Sequence, residues 1–313
     1  MQLLYALAEL RTPFLDALLG ALTNCGGELV FMAAAIIVFW CVSKSCGYYM
    51  LTVGFVGTIV NQFLKLVFRI PRPWVKDPDF QIVESARAEA TGYSFPSGHT
   101  QNVFASFGCL GRWTKRTWLR AVCALLIVVT AFSRMYLGVH TPLDVGVSFG
   151  IGLVLVFALY PLFRDIDSHP KRLYLLFVAM AVLGAAYLLF AELWPFPADV
   201  DAANLASGRK NAYTLLGAVL GMTFAYWLDR RYVHFDVRAV WWAQVLKTVL
   251  GLAITIGLRA ALKAPLLALC GGHNVANLIR YALMVIFAAG IWPMTFGWFG
   301  RLGRKKPASG ASD

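Results

Sequence analysis

Three short polar clusters, separated by apolar segments, carry residue types that could act on a phosphate group. Their ionisable members are three cations, two imidazoles and one carboxylate, namely Lys65, Arg72, His99, Arg134, His140 and Asp144. Guanidinium and ammonium groups suit a phosphate, and imidazoles suit acid, base or nucleophile chemistry. Ionisable residues beside apolar segments are costly to bury, so each cluster is a candidate functional site.

In the third cluster, Asp144 follows His140 by four residues, so the two share one face if both lie on a helix. The carboxylate can accept the proton of one ring nitrogen and leave the other nitrogen with a free lone pair. This arrangement allows the imidazole to act as a base or as a nucleophile. The alternative is a structural hydrogen bond that only caps the helix beginning near Pro142.

The second cluster reads Pro-Ser-Gly-His over residues 96–99 and begins an apolar segment. Free amides at a helix start attract anions, and Gly98 allows close approach to the backbone. Ser97 adds a hydroxyl, and His99 could protonate a leaving oxygen. The alternative is an ordinary helix cap with a histidine beside it.

The first cluster holds Lys65 and Arg72, and Arg134 supplies a third cation from the third cluster. Prolines on both sides of Arg72 end the preceding helix and keep that residue in an extended segment. Converging cations could neutralise a phosphoryl group and its transition state. Each cation alone could instead be an interfacial anchor, which is the interpretation for Arg69 and Lys76.

Composition predicts an integral membrane protein. Of the 313 residues, 59% are hydrophobic and only 14% are charged, with a mean hydropathy of +0.65. The net charge of +12 comes mostly from short loops between apolar runs, which is typical of membrane topology, so we do not expect a nucleic-acid partner. The six cysteines form no CxxC pair, and we interpret them as small packing residues.

The hydropathy pattern predicts an all-α, polytopic helical bundle with about nine transmembrane helices. An N-terminal amphipathic helix at the interface precedes them in residues 1–26, with a weakly hydrophobic spanning helix as the alternative. The nine predicted spans cover residues 27–43, 47–68, 97–113, 117–138, 141–163, 172–194, 211–229, 239–258 and 276–298.

Loop charges predict the orientation in the cell membrane. One side is basic, with Arg112, Lys115, Arg116 and Arg120 in a single loop, and the opposite side mixes acids and bases. The positive-inside rule places the basic side in the cytoplasm. We therefore expect an extracytoplasmic N-terminus and site, a cytoplasmic C-terminus, and a polar, disordered tail over residues 307–313.

We expect two domains, with residues 1–165 forming a catalytic core and residues 166–313 forming a membrane extension. Gly217 and Gly221 in the extension have GxxxG spacing, which predicts close helix packing. Lys247 and Arg280 are interpreted as snorkelling side chains.

Together the clusters read K-x6-R-P over residues 65–73, P-S-G-H over residues 96–99 and S-R-x5-H-x3-D over residues 133–144. In this order and completeness they resemble the type 2 phosphatidic acid phosphatase (PAP2) family, whose motifs are shared with vanadium haloperoxidases. The resemblance covers about residues 1–165. The predicted membrane spans disfavour a haloperoxidase, since the resemblance there is to soluble proteins.

The resemblance implies a helical bundle and a metal-independent lipid phosphatase without a cofactor. His140 would be the phosphoryl-accepting nucleophile, Asp144 would orient it, and His99 would be the general acid. The phosphate cradle would consist of Lys65, Arg72, Ser97, Gly98 and Arg134. The substrate would be a lipid monoester or diphosphate of the phosphatidate, phosphatidylglycerol phosphate or undecaprenyl diphosphate type.

Other functions remain open at this point. A lipid transporter or scramblase is one alternative, and a non-catalytic phosphate-binding relative is another. The second half could be a homodimer surface, a lipid-docking wall or a second activity. The long polar loop over residues 74–95 is predicted to form a lid over the lipid headgroup, with Trp74 and Lys76 in it.

Overall fold

The computed structural model describes residues 1–166 and 170–302, and these residues form helices and no strand. The predicted tail over residues 307–313 lies outside the described residues. The helices are α1 (Gln2–Glu9), α2 (Pro13–Thr23), α3 (Glu28–Cys41), α4 (Lys44–Phe68), α5 (Pro73–Lys76), α6 (Gly98–Val103), α7 (Cys109–Trp113), α8 (Thr117–Tyr136), α9 (Pro142–Arg164), α10 (Pro170–Leu193), α11 (Ala202–Leu228), α12 (Trp241–Ala261), α13 (Lys263–Leu269), α14 (Val275–Ile286) and α15 (Phe296–Phe299). The all-α prediction is confirmed.

The predicted count of nine spans is not confirmed. In the described residues, six helical segments are long and apolar enough to cross a membrane, or seven if the bent pair α2–α3 counts as one. A π-helical turn joins α6 to α7, and the 16 residues from Gly98 to Trp113 extend only about 24 Å. That length falls short of a bilayer core of about 30 Å. Helix α11 is long enough, but its first third is polar.

The N-terminal segment forms two helices instead of one amphipathic helix. Helices α2 and α3 follow each other with a bend of 49° and are together long and apolar enough for one broken span. This arrangement agrees with the alternative of a spanning segment as well as with an interfacial helix. Arg11, between α1 and α2, donates to the carbonyl oxygens of Tyr136 and Gln81. Together with a small apolar cluster that includes Leu4 and Phe80, these bonds fix α1 and α2 against the 74–95 loop and the end of α8.

Helix α4 is the centre of the bundle. Most of its residues are buried, and it packs against α3, α6, α9 and α11. Because α4 contacts helices from both halves, Lys65 at its end is held within a continuous core. A side chain on such a helix is positioned more tightly than one on a loop.

The second half is joined to the first by buried polar contacts. Lys44 at the start of α4 forms a 2.8 Å ion pair with Asp229 after α11. Lys247 is 1% exposed and donates to the carbonyl oxygen of Trp40 at 2.8 Å. The prediction that Lys247 snorkels is therefore wrong, because its ammonium instead caps an orphan carbonyl at the end of α3. The buried guanidinium of Arg280 likewise donates to Asn277.

Close packing of α11 against α14 confirms the prediction made from the GxxxG spacing. A Cβ atom at Gly217 would collide with the backbone of Leu278, and one at Gly221 would collide with the backbone of Ala282. Backbone atoms cannot move aside as a flexible side chain can. The two glycines therefore let the helix axes approach each other.

We expect Gly217→Val to destabilise the protein, since overpacking a close contact costs about 1–3 kcal/mol or more. The matched control is Gly257→Val in α12, where an added Cβ would meet nothing within 4 Å. Thermal unfolding in detergent should give a clearly lower Tm for Gly217→Val than for Gly257→Val. Equal melting temperatures would contradict the packing described for α11 and α14.

Candidate active site

His140 lies in the short connection between α8 and α9, where a capping box fixes the start of α9. The Thr141 side chain accepts from the backbone N–H of Asp144, and the Asp144 carboxylate accepts from the N–H of Thr141. Pro142 occupies the first turn of the helix. Asp144 therefore caps α9 through Thr141, and the same carboxylate also faces the imidazole of His140.

The tautomer of His140 follows from its neighbours. Nη1 of Arg72 lies 2.9 Å from Nε2 of His140. A guanidinium can only donate, so Nε2 carries the lone pair and Nδ1 carries the proton. Nδ1 lies 3.5 Å from Oδ2 of Asp144, which orients the protonated side of the ring towards the carboxylate. The ring faces Asp144 as the base-and-orienter prediction requires, but Nδ1 makes no hydrogen bond to any described residue, and the 3.5 Å gap must close for Asp144 to accept its proton.

Asp144 is held by a residue that the sequence analysis missed. The hydroxyl of Ser94 donates to Oδ2 of Asp144 at 2.6 Å, and both side chains are buried. No spacing rule separates Ser94 from other serines, since it reaches Asp144 only through the fold of the preceding loop. Ser94 positions the carboxylate that in turn orients His140.

Burial and charge keep His140 neutral. The imidazole is 2% exposed. Burial is the main cause that holds its pKa well below the usual range, and Arg72, Arg134 and Lys65 add to the shift. A neutral ring is the form that can act as a nucleophile or base.

Arg72 is the most highly connected side chain at the site. Besides the contact with His140, it donates to the backbone carbonyl oxygens of Val139, Gly92 and Thr91 at 2.7–3.0 Å. Lys65 is also buried, and its ammonium donates to the carbonyl oxygen of Tyr93 at 2.5 Å. Both cations are therefore held by backbone oxygens of the loop that follows α5.

Arg134 has unused donors. It is 1% exposed, and Nη1 donates to the hydroxyl of Thr23 at 2.9 Å. Its Nε and Nη2 atoms have no hydrogen-bond partner among the described residues. A buried guanidinium with free donors is costly unless an anion takes them up.

The second cluster begins α6. Ser97 is its N-cap and accepts from the backbone and the hydroxyl of Thr100, as the helix-cap alternative stated. An added Cβ at Gly98 would meet nothing within 4 Å, so the backbone there is open. Nε2 of His99 lies 2.9 Å from a carboxylate oxygen of Glu89, a second partner that the sequence analysis missed.

One cavity of about 640 Å³ brings the two histidines together. Five of the predicted site residues line it, namely Lys65, Arg72, Gly98, His99 and His140. The other three are buried and do not line it, namely Ser97, Arg134 and Asp144. In the described part of the chain, no group of three or more His, Cys, Asp or Glu side chains could hold a metal ion.

The 74–95 loop contributes to this cavity through residues other than those predicted. Ala88, Glu89 and Thr91 line it, whereas Trp74 and Lys76 do not. The ring of Trp74 instead lies against the guanidiniums of Arg72 and Arg87, with 5.9 and 5.1 Å between each guanidinium carbon and the ring centre. The covering of the site therefore comes from the later part of the loop.

Two family models match the sequence. The model of the PAP2 superfamily matches residues 44–168, and the model of the PAP2 superfamily phosphatase transmembrane extension matches residues 213–305. No solved structure is significantly similar to the chain.

Several curated proteins are similar to parts of the chain. Undecaprenyl-diphosphatase BcrC of Bacillus subtilis is 33% identical over 108 residues, which are 34% of this chain and 52% of that protein. Phosphatidylglycerophosphatase B of the same organism is 27% identical over 180 residues, 52% of this chain and 80% of that protein. Dihydrosphingosine 1-phosphate phosphatase YSR3 of Saccharomyces cerevisiae is 21% identical over 231 residues, 71% of this chain and 55% of that protein. The chain thus spans about half the length of the first and third of these relatives.

The cation arrangement predicts that orthophosphate binds and stabilises the protein. We expect added phosphate to raise the Tm in detergent, because a ligand that binds only the folded state stabilises it. Arg134→Lys should weaken phosphate binding about tenfold or more, since lysine cannot replace a bidentate guanidinium.

The matched control is Arg69→Lys, because Arg69 ends α4 and does not line the cavity. It should leave the phosphate-dependent rise in Tm as it is in the natural protein. A phosphate response that is the same in both variants would contradict the role of Arg134.

Proposed function

Since this chain belongs to the PAP2 superfamily, we propose that it is an integral membrane lipid phosphatase acting through a phosphohistidine intermediate at His140. The observation that carries the proposal is the single cavity lined by both imidazoles and by Lys65 and Arg72. The similarity to proteins named as lipid phosphatases supports hydrolysis of a lipid phosphate as the reaction.

Substrate binding starts with a change of partner for Arg72. The phosphoryl group enters among the cations and accepts from the guanidinium, which then releases Nε2 of His140. The unused donors of Arg134 are buried and do not line the cavity, so they take a second oxygen after neighbouring side chains of the cavity wall shift. The open backbone at Gly98 lets the phosphate approach the start of α6. Phosphate binding therefore frees the nucleophile at the moment when its target is in place.

In the first chemical step, the lone pair on Nε2 of His140 attacks phosphorus in line. The bond between phosphorus and the lipid-side oxygen breaks, and His99 donates its proton to that oxygen. Without substrate, burial holds the pKa of His99 low, at about 3, and Arg134, Arg72 and Lys65 add to the shift. The dianionic phosphate neutralises these cations and, with the Glu89 carboxylate at 2.9 Å, favours the protonated form that this step requires. The products are phosphohistidine and the lipid alcohol, or the lipid monophosphate if the substrate is a diphosphate.

In the second step, water attacks the phosphorus of phosphohistidine. His99, now neutral, accepts a proton from that water, and the bond between phosphorus and Nε2 breaks. Orthophosphate leaves, and His140 regains its lone pair while Asp144 keeps Nδ1–H oriented. The three cations stabilise the charge on the transferring group in both steps, and the mechanism calls for no metal ion.

We place the site at the extracytoplasmic face of the cell membrane. Helix α8 has 20 residues and is about 30 Å long, so it can span the bilayer core. Arg134 lies at its last turn, whereas the basic loop with Lys115 and Arg116 precedes its first turn. The positive-inside rule assigns the basic end to the cytoplasm and the catalytic end to the opposite face.

We expect His140→Ala and His99→Ala each to lower phosphate release from lipid phosphates by about a thousandfold or more, because each removes a group that changes bonding in the reaction. His273→Ala is the matched control, since this loop histidine contacts Tyr213 and does not line the cavity. The assay measures orthophosphate released in detergent, with and without a chelator.

Size-exclusion profiles and melting curves check that the variants fold. Near-normal turnover by either folded active-site variant would contradict its assigned role. A loss of activity in chelator that added metal ions restore would contradict the metal-free mechanism.

A further inference from the structure

Two amide side chains in the cavity are not used by the phosphatase mechanism. Asn61 in α4 is 3% exposed and Gln101 in α6 is 1% exposed. Within the described residues, neither the amide nitrogen nor the amide oxygen of either side chain has a hydrogen-bond partner. Both side chains line the same cavity as the two histidines. Buried polar groups are nearly always paired, so this pair indicates a ligand.

The amides lie further from the end of α4 than Lys65 of the phosphate cradle does. Asn61 precedes Lys65 by four residues on α4, so it lies one turn and about 6 Å further along the helix. The amide of Gln101 lies against Gly57, one further turn before Asn61, where an added Cβ would collide with it. The two amides therefore lie about one and two helical turns from Lys65 along α4 and form a polar zone next to the cations.

Other cavity residues continue this order. Asn211 and Thr214 from α11 add polar groups, so the transmembrane extension supplies part of the wall. Phe31 and Phe55 line the cavity as apolar side chains, and Phe55 lies on the same helix as Asn61 and precedes it. Along α4 the wall changes from cation to amide to aromatic ring. This order matches a lipid phosphate with a polar backbone between its phosphate and its tail.

On the basis of the proposed function, we propose that Asn61 and Gln101 form a subsite that hydrogen-bonds the polar backbone of the lipid next to the phosphoester. The substrates would be glycerolipid or sphingoid-type phosphates, which carry ester, hydroxyl or amine groups at that position. A polyprenyl phosphate carries only hydrocarbon there.

The chemistry of an amide explains the discrimination. Each amide offers both donors and acceptors, so it can pair with an ester carbonyl, a hydroxyl or an amine. A hydrocarbon chain would bury both amides without partners. A site built to hydrogen-bond a substrate rejects an analogue that lacks the group, because its own polar atoms then stay unpaired.

The test compares three lipid monophosphates: dioctanoyl phosphatidate, a sphingoid-base 1-phosphate and farnesyl phosphate. We expect the natural protein to have a kcat/KM at least about tenfold higher for one of the first two than for farnesyl phosphate. The comparison of the first two tells which backbone the subsite takes. Asn61→Leu and Gln101→Leu should each lower the preference over farnesyl phosphate about tenfold. Because the preference is a ratio measured on one sample, partial misfolding of a variant cancels.

The matched control is Thr52→Val, since Thr52 is also buried in α4 without a partner among the described residues but does not line the cavity. It should leave the ratio unchanged. A preference of the natural protein for farnesyl phosphate, or a ratio that neither leucine variant changes, would overturn the subsite and leave the phosphatase function standing. If the natural protein hydrolysed none of the three and also released no phosphate from farnesyl diphosphate, the phosphatase function itself would fall, and the subsite with it. Hydrolysis of farnesyl diphosphate alone would overturn the subsite and leave the phosphatase function standing.

Discussion

The guanidinium of Arg72 is the interaction on which the site depends. It joins the loop after α5, through the carbonyl oxygens of Thr91 and Gly92, to the connection between α8 and α9, through Val139 and His140. These segments are nearly fifty residues apart along the chain. A planar group with five donors can hold both at once, which a lysine cannot do. The same contact fixes the tautomer of His140, so one side chain sets both the geometry and the protonation of the site.

The second constraint on the site is the free-energy cost of burying positive charge. Lys65, Arg72 and Arg134 are each at most 7% exposed, and three cations close together in a region of low dielectric repel one another. Backbone carbonyl oxygens relieve part of this cost for Lys65 and Arg72. Arg134 keeps two donors free within the described residues, so a phosphate oxygen would complete its hydrogen bonding. The repulsion among the buried cations and the unpaired donors of Arg134 are relieved only by an anion. The cations therefore favour binding of a phosphate, although the site lies beside apolar helices.

The sequence predicts which residues line the site better than it predicts the contacts that position them. The motifs predict that His99, His140, Lys65 and Arg72 share one site, and these four residues line one cavity. The prediction is possible because capping residues and prolines fix where their helices begin and end. Ser94 and Glu89 could not be found, since their partners are chosen by the path of a loop with no periodicity. Asn61 could not be identified either, because a single polar residue in an apolar helix belongs to no motif or spacing that would distinguish it. The predicted count of nine spans is not confirmed, because hydropathy does not show where helices end, and α3 and the α6–α7 segment are each shorter than a bilayer core.

The most direct measurement is the chemical identity of the phosphorylated residue during turnover. ³²P-labelled phosphatidate is mixed with the protein and quenched in alkali within milliseconds, and the labelled peptide is then mapped. The proposed chemistry predicts a label that is stable in alkali, labile in acid and located on His140, and that is absent in His140→Ala. A label on another residue, or an unlabelled protein that still releases phosphate at the full rate under the same quench, would contradict nucleophilic attack by His140.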